Sequence, residues 1–456
     1  MENNKNMIIT VPFSELKIWD VKSFYHQSDI FNKKYPVVLF GEFLTKPNIA
    51  KIQIQDTKEY KILGARAYGK GAFVNRTVKG DTLKMRTYQQ AKPNHLFWCK
   101  VDTKNGAFGI ITEELADGVA SSNMTFAKIE TEKANPEFLQ LLFKSKRINE
   151  YMDGYVSGTT NRKYIKPDQL REEIKIVLPS IEEQNRIVNS FISKNLLAEQ
   201  QEQEANIIEN EIDNYIYEIL GIKRIEEKKL NSFRTINFSE IERWAVDSLG
   251  KLTKVESKFE SKYPLVKLRD FIKSHQYGLS EKATKESIGV PMLRMNNIFN
   301  SSLDISNLKY IDIDKFLLEK YKLDFGDILF NRTNSKELVG KTALFDIEDK
   351  DFTFASYIIR IKLDEKKANN KYINYLFNSS ILQYQKDLVS RQITGQANIN
   401  AQEMQDFLFP LPPLNKQNEI ADYISNLKNK VSLLRESARL NNYNAMQEFE
   451  NEIFNS

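Results

Sequence analysis

The chain has 456 residues, of which 41% are apolar and 28% charged, and a formal net charge of +5. This length predicts two or three domains with ordinary apolar cores. No apolar run approaches the roughly 20 residues that a membrane span needs, and a single cysteine, Cys99, excludes an internal disulfide. We therefore expect a cytoplasmic protein without a signal peptide. Three widely separated histidines also argue against a His/Cys metal site.

The predicted elements of the first half begin with short strands at 37–40, 51–54 and 108–112. They are alternating or β-branched runs bounded by turn residues. A helix over 136–151 follows, with apolar residues at helical spacing. The second half has the same character, with strands at 328–330, 342–345 and 356–361 and a helix over 370–384. Each half is predicted to be an α+β domain.

Charge is distributed unevenly along the chain. Residues 58–104 hold 11 Lys/Arg against 3 Asp/Glu, whereas residues 182–220 hold 2 against 9. The basic segment is suited to an anionic partner such as nucleic acid. A solvated basic face with no partner is the equally simple alternative.

The chain is internally duplicated. The segment FSELKIW at 13–19 recurs 225 residues later as FSEIERW at 238–244. The close of each half matches as well, since LPSIEEQN at 178–185 is echoed by LPPLNKQN at 411–418. Two copies with a period above 200 residues indicate two domain-plus-helix units rather than a solenoid.

Each copy ends in a long predicted helix with apolar residues three and four apart, the seam of a coiled coil. The seam residues of the two helices are Ile187, Phe191, Ile208, Ile212, Ile219, Ile420, Ile424, Leu427, Val431 and Leu434. Polar Lys194 and Gln201 interrupt the first seam, and Asn441 interrupts the second. Each helix therefore needs a partner, and the other copy is the economical one. A helix over 182–219 would be about 55 Å long.

Catalytic motifs are missing from the sequence. The Pro-Pro at 412–413 lacks the flanks of a methyltransferase motif, and GKT at 340–342 lacks the earlier glycine of a phosphate loop. Pro167-Asp168 and the Glu-Ile-Lys at 173–175 imitate a nuclease motif with too short a gap. We interpret that pair as a solvated helix face.

With its duplicated halves and long helices, the chain resembles the specificity subunits of Type I restriction-modification systems over nearly its whole length. The junctions at 178–184 and 410–417 are similar to the domain-to-helix junctions of that family. Segments 98–102 with 106–110, and 326–333 with 339–341, resemble strand pairs of two types of recognition domain, and 395–400 resembles the segment before the second junction.

The resemblance implies an α+β fold in which two α/β-type target-recognition domains are separated by two long antiparallel coiled-coil helices, an internal pseudo-twofold duplication. The implied boundaries are 1–178 for the first recognition domain, 179–221 for the central conserved helix, 222–410 for the second recognition domain and 411–456 for the C-terminal conserved helix.

The function implied is sequence-specific binding to a bipartite double-stranded DNA target. Each domain would read one half, and the helices would space the domains and dock methyltransferase (modification) subunits, usually two. A motor-nuclease (restriction) subunit would join them. The chain itself would be non-catalytic and hold no cofactor or metal, whereas its partners would carry S-adenosylmethionine, ATP and Mg. Half-sites on one face of DNA lie about 34–36 Å apart, a spacing that a rod of the predicted length can set.

Candidate DNA contacts are cations and amides in polar, aromatic-interleaved stretches, since Lys and Arg neutralise phosphates and Arg, Asn and Gln read bases. They are Arg66, Tyr68, Lys70, Asn75, Arg76, Lys84, Arg86, Tyr88, Asn161, Arg162, Lys163, Tyr277, Arg294, Asn296, Asn297, Arg332, Asn334, Ser335, Lys341, Arg391 and Gln392.

Three other interpretations stay open from the sequence alone. One is the recognition subunit of a related system whose partner fuses nuclease and methyltransferase. The second is a coiled-coil scaffold with two protein-binding modules and no role on DNA. The third is an enzyme with an unfamiliar site.

Overall fold

A computed structural model of the chain describes residues 30–100, 106–155, 165–224, 259–299, 301–348, 350–393 and 396–454. The repeated segments at 13–19 and 238–244 lie outside these residues. The described residues fall into two compact units. Unit 1 holds those up to Gln201 together with those from Glu436 onward, and unit 2 runs from Glu202 to Arg435.

Two long helices, Ile181–Leu220 and Leu414–Ile453, each contribute to both units. Proline and an extended residue precede each helix, which is why helical structure begins there. Gly221, at a φ of 59°, follows the first helix in the left-handed conformation that ends helices. Among the described residues, no helix is both long and apolar enough to cross a membrane.

Unit 1 combines a five-stranded, a four-stranded and a two-stranded sheet with three short helices. Its strands are Val37–Leu39, Leu44–Thr45, Lys51–Gln53, Glu59–Ala65, Ala72–Lys79, Thr87–Gln90, His95–Cys99, Phe108–Ile110, Val119–Ala120, Met124–Ile129 and Lys175–Val177, and its short helices are Pro136–Lys144, Lys146–Asp153 and Pro167–Glu172. The main core packs Trp98, Phe108 and Phe138 against both long helices.

Unit 2 has a four-stranded sheet, two three-stranded sheets and three strand pairs. Its strands are Lys223–Arg224, Phe259–Glu260, Leu265–Lys267, Ile272–Tyr277, Val290–Leu293, Ile298–Phe299, Ser302–Leu303, Lys309–Ile311, Ile328–Asn331, Thr333–Asn334, Thr342–Leu344, Thr353–Phe354, Ile358–Leu363, Arg391–Ile393, Gln396–Asn398 and Leu408–Pro410, and its short helices are Lys315–Tyr321, Asn370–Asn378, Ser380–Val389 and Ala401–Gln405. The α+β class is confirmed.

The predicted helix over 136–151 was wrong in one respect, because Ser145 divides it. Ser145 is extended, with a ψ of 132°, and its buried hydroxyl donates to Glu450 of the second long helix at 2.7 Å. The predicted helix over 370–384 is divided in the same way at Ser379, whose ψ is 162°. There Ser380 donates to Asp213 of the first long helix at 2.6 Å. Both breaks let a serine reach a carboxylate on a long helix.

A buried glutamine fastens the first long helix to the rest of unit 1. The Oε1 atom of Gln184 accepts the Asn135 N–H at 2.7 Å. Its Nε2 atom donates to the carbonyls of Lys133 and Pro179, at 2.9 and 2.8 Å. The Nδ2 atom of Asn135 in turn donates to Asn185 at 2.8 Å. We call this set of bonds the glutamine lock.

Unit 2 contains the same glutamine lock at the start of the second long helix. Gln417 accepts the Asn369 N–H at 2.9 Å and donates to the carbonyls of Lys367 and Pro412, at 3.0 and 2.9 Å. Asn369 donates to Asn418 at 2.8 Å. Both glutamines are fully buried. The two halves that match in sequence therefore also make the same hydrogen bonds at the start of their long helices.

The long helices pair antiparallel within each unit. In unit 2, Arg435 forms bonds of 2.8 Å to both carboxylate oxygens of Glu209, and Ala205 packs with Val431. In unit 1, Gln201 donates to Ser437 and accepts from Asn441, each at 2.9 Å. Two of the polar residues that interrupt the seams, Gln201 and Asn441, therefore satisfy each other, and the third, Lys194, forms an ion pair with Glu448.

The predicted seam residues all lie on buried or half-buried faces of the two helices. Within unit 2, Ile208, Val431, Leu427 and Leu434 share a helix–helix cluster with Ala205. The other seam residues pack into the main core of a unit. Those are Ile187 and Phe191 in unit 1 and Ile212, Ile219, Ile420 and Ile424 in unit 2.

The two ends of the described chain meet in unit 1. The Asn32 N–H donates to the Ile453 carbonyl at 2.9 Å, and the rings of Phe31 and Phe454 stack at 6.0 Å. Glu452 accepts from Lys34 at 2.9 Å and from Arg186 at 2.6 Å, and the Tyr35 hydroxyl also donates to it. These bonds lower the pKa of Glu452 to about 2.

Replacing Gln184 with leucine should destabilise unit 1 by about 2–4 kcal/mol, because a buried N–H and two carbonyls lose their partner. In hydrogen–deuterium exchange, Gln184→Leu should speed exchange at the Asn135 amide and spare that of Asn369. Gln417→Leu should do the reverse. Gln200→Leu, at an exposed position of the same helix, is the matched control, with an expected change within about 0.5 kcal/mol. Unchanged exchange at Asn135 would contradict the lock.

The stabilising effect of Glu452 should depend on pH. Its folded pKa of about 2 lies below the ordinary 4.5, so its contribution is complete above pH 4.5 and is lost as the pH falls toward 2. The difference in unfolding free energy between the wild type and Glu452→Gln should therefore shrink across that range, as measured by urea unfolding at a series of pH values. A difference that stays constant would show that these bonds do not stabilise the carboxylate.

Candidate nucleic-acid interface

The basic segment of unit 1 is built around a long hairpin of strands Glu59–Ala65 and Ala72–Lys79. The second strand lies at the edge of the five-stranded sheet. Arg76 on this strand and Arg66 and Lys70 in the turn are all exposed. Cations on an edge strand discourage pairing with other sheets, and they also present positive charge to an anionic partner.

The turn of this hairpin is fixed on the body of the unit. Gly69 has a φ of 59°, and a Cβ atom there would lie 1.9 Å from the Phe143 carbonyl oxygen. Its N–H donates to Gly106 at 2.9 Å, and its carbonyl accepts from Gln140 at 2.6 Å. Gln140 also accepts the Ile110 N–H at 3.0 Å. The exposed cations of the turn therefore project from a rigid base.

Arg66 is stacked on an aromatic ring. Its guanidinium carbon lies 4.6 Å from the centre of the Phe73 ring. That ring lies against Gly64, where a Cβ atom would be only 3.1 Å from it. A cation–π contact at this distance stabilises the guanidinium in its position over the ring. Phe73 was not among the predicted site residues, and its place in an alternating strand gave no signal for this role.

The other candidates of unit 1 are placed differently. Tyr68, Asn75 and Lys84 are exposed, as is Arg86, which forms an ion pair with Asp56 at 2.5 Å. Tyr88, the aromatic residue that the sequence interleaves with these cations, is buried in an apolar cluster. Asn161, Arg162 and Lys163 lie outside the described residues.

In unit 2, one small sheet brings five candidates together. Strands Thr333–Asn334, Gln396–Asn398 and Arg391–Ile393 form it, so Arg391, Gln392 and Asn334 occupy neighbouring register positions. Arg332 directly precedes the first strand, and its guanidinium carbon lies 4.8 Å from the ring centre of Tyr277. Asn398 lies 3.5 Å from the Nη2 atom of Arg332. The sequence marked Asn398 only as part of a junction motif.

The group at 294–297 forms a separate site. Arg294 donates to the Asn307 carbonyl at 2.8 Å, and Asn296 is exposed. Asn297 is buried, accepts the Arg294 N–H at 2.9 Å and donates to the Asp304 carbonyl at 2.8 Å. Its amide thus holds the loop, and in this structure it is not exposed to a DNA partner.

Two further candidates lie beside the first strand of the small sheet. Ser335 is half-buried, and its N–H donates to the Asn334 side chain at 2.8 Å. Burial lowers the pKa of Lys341, an effect that the carboxylate of Asp213 on the first long helix opposes. Thr342–Leu344 is a strand, as predicted, so the glycine–lysine pair before it does not open a helix as a phosphate loop does.

Within the described part of the chain, no group of three or more His, Cys, Asp or Glu side chains could hold a metal ion. Asp168, part of the nuclease-like pair, forms an ion pair with Arg171 on the helix Pro167–Glu172. The arrangement that remains is two sets of exposed or half-buried cations and amides, each supported by aromatic rings.

Comparison with known proteins agrees with this arrangement. Residues 260–441 match the Type I restriction modification DNA specificity domain. The proposed specificity subunit of the Methanocaldococcus jannaschii MjaX type I restriction enzyme is 29% identical over 180 residues, which cover 38% of this chain and 41% of that protein. The Escherichia coli EcoKI specificity subunit is 27% identical over 183 residues, covering 39% of each chain.

The aligned segments thus span about two fifths of these curated relatives. A chain from a solved structure, described as concerning complex assembly and conformational transition of the type I R-M system, shares the fold over 92% of this chain and 97% of its own. Its TM-score is 0.55 at 14% identity. The chain is thus similar to the Type I restriction modification DNA specificity domain over residues 260–441, and it shares the fold of a solved chain over most of its length.

Proposed function

We propose that the chain reads a bipartite DNA target for a Type I restriction-modification complex and catalyses nothing itself. The recognition domain at 1–178 reads one half of the target and the domain at 222–410 reads the other. The observation that carries this proposal is the glutamine lock, which occurs twice and fastens a polar, cation-bearing module to a long helix each time. Two equivalent modules on one chain suit a target with two halves.

The cations of unit 1 divide into two roles. Lys70, Arg76 and Lys84 are exposed on the hairpin side of the domain and suit phosphate oxygens. The guanidinium of Arg66 lies over the Phe73 ring. Its planar arrangement of N–H donors is the geometry that base reading requires. Phosphate contacts would set the register of the domain on DNA, and base contacts would select the sequence.

The long helices, at 179–221 and 411–456, space the domains and dock two methyltransferase subunits, with a motor-nuclease subunit completing the complex. Exposed apolar side chains support a protein partner on these helices. In unit 1, Ile192 and Leu196 lie one turn apart, 44% and 52% exposed, and in unit 2 Leu433 is 73% exposed. S-adenosylmethionine, ATP and Mg would be bound by the partner subunits. A cytoplasmic location follows from this role.

Lys70→Gln and Arg76→Gln should each weaken binding to every DNA sequence alike. Each variant removes one phosphate contact, so the slope of log affinity against log salt should fall by about 1. Fluorescence anisotropy of labelled duplexes across a KCl series measures this with the chain in its methyltransferase complex. Arg439→Gln on the second long helix, where the arginine is exposed beside Glu436, is the charge-matched control and should leave the slope unchanged. If all variants had the same slope of log affinity against log salt as the wild type, the hairpin would not contact DNA.

Sequencing of methylated adenines in host DNA, with and without this gene, tests the proposal as a whole. We expect a split motif with a fixed spacer to lose methylation when the gene is deleted and to regain it on complementation. Methylation that is unchanged by deletion would overturn the reading role. A scaffold function would then account better for the exposed apolar positions of the helices.

A further inference from the structure

The backbone of Arg332 in unit 2 is hydrogen-bonded to two other segments. It follows the strand Ile328–Asn331 in the four-stranded sheet. Its N–H donates to the Tyr357 carbonyl and its carbonyl accepts the Ile399 N–H, both at 2.9 Å. Both backbone polar groups of Arg332 are therefore bonded, which constrains the position of its Cα atom and the direction in which the side chain leaves the backbone.

The side chain of Arg332 has contacts of its own, with Tyr277 and Asn398. Tyr277 lies beneath the guanidinium, and its hydroxyl accepts the Ala401 N–H at 2.9 Å, which fixes the ring. Asn398 directs its Oδ1 atom toward the guanidinium because its Nδ2 atom donates to Thr333 at 2.6 Å. A guanidinium ordered in this way loses little conformational entropy when it binds a ligand.

Two polar atoms at this place lack partners among the described residues. They are the Nε atom of Arg332 and the Oδ1 atom of Asn331, and both are buried. Asn331 as a whole is only 1% exposed. Orphaned buried polar atoms are costly in native proteins, and they are tolerated where function requires the arrangement. The Arg332 guanidinium, half-exposed and lying over the Tyr277 ring, therefore keeps hydrogen-bonding capacity that no described residue uses, which favours a site that a ligand completes.

We infer that Arg332 reads a guanine in the half-site bound by unit 2 and that Tyr277 is its positioning residue. The inference rests on the proposed function and names the base that one residue selects. A planar cation with two parallel N–H donors matches the O6 and N7 acceptors of guanine in the major groove, the commonest specific contact of arginine. In the adjoining small sheet, Asn334, Arg391 and Gln392 occupy neighbouring register positions.

Methylation sequencing of cells carrying Arg332→Gln tests the assignment. The variant should accept other bases at one guanine position of one half-site and keep the rest of the motif. In binding assays it should lose about 10- to 100-fold affinity for the wild-type target and little for a target changed at that base. Lys336→Gln removes the same charge four residues later, from an exposed position, and should not alter base preference.

Tyr277 variants separate positioning from simple stability. Tyr277→Leu removes the ring beneath the guanidinium and should relax the same guanine position as Arg332→Gln does. Tyr277→Phe keeps the ring and should retain the preference. A preference that is unaffected by Tyr277→Leu, in protein with a wild-type melting temperature, would overturn the positioning role.

A modified DNA keeps the test valid should the arginine variant fail to fold. Replacing the assigned guanine by 7-deazaguanine removes the N7 acceptor and should weaken the wild-type complex by about tenfold. A half-site without any guanine, or wild-type binding that is indifferent to 7-deazaguanine at every guanine, would overturn the inference. A wild-type chain that confers no methylation at all would instead overturn the proposed function.

Discussion

The structure depends on one buried side-chain amide per unit. A glutamine amide offers one acceptor and two donors on a flexible stem, and Gln184 and Gln417 use all three on backbone groups that would otherwise be buried without partners. An ionised glutamate at these positions could accept a hydrogen bond but not donate one, and a leucine could neither accept nor donate. The lock fixes the first turn of each long helix against the cap of a short helix, and thereby fixes where each module sits on its helix.

The sequence predicted those elements whose apolar residues recur at the short period of a helix or a strand. The long helices, their seam and the strands around residues 37, 108, 328 and 342 follow from apolar spacing alone. The breaks at Ser145 and Ser379 could not be predicted in this way, because each depends on a carboxylate that is distant in the sequence. The burial of Tyr88 and Asn297 could not be predicted either, since polar and aromatic residues between cations look alike in sequence whether they face solvent or an interior.

The two units carry different surfaces on equivalent scaffolds. In unit 1 the cations project from an edge hairpin, whose turn Gln140 ties down. In unit 2 a small sheet surrounds a stacked arginine with buried polar neighbours. The contacts that differ lie in loops and edge strands, where substitution is tolerated, while those that recur lie at the helix junctions. The surfaces of the two units can therefore differ while the helix junctions keep the same contacts.

The joining of the chain ends in unit 1 has a consequence for synthesis. Unit 2 is continuous from Glu202 to Arg435, so all of its residues are synthesised before the segment from Glu436 onward that completes unit 1. Unit 1 needs Ile453 and Phe454 to cover Asn32 and Phe31, so its core cannot close before those two residues have been made. Domains fold as units during synthesis. The residues of the second module are therefore complete before those of the first, and part of the apolar core of the first module stays uncovered during that interval.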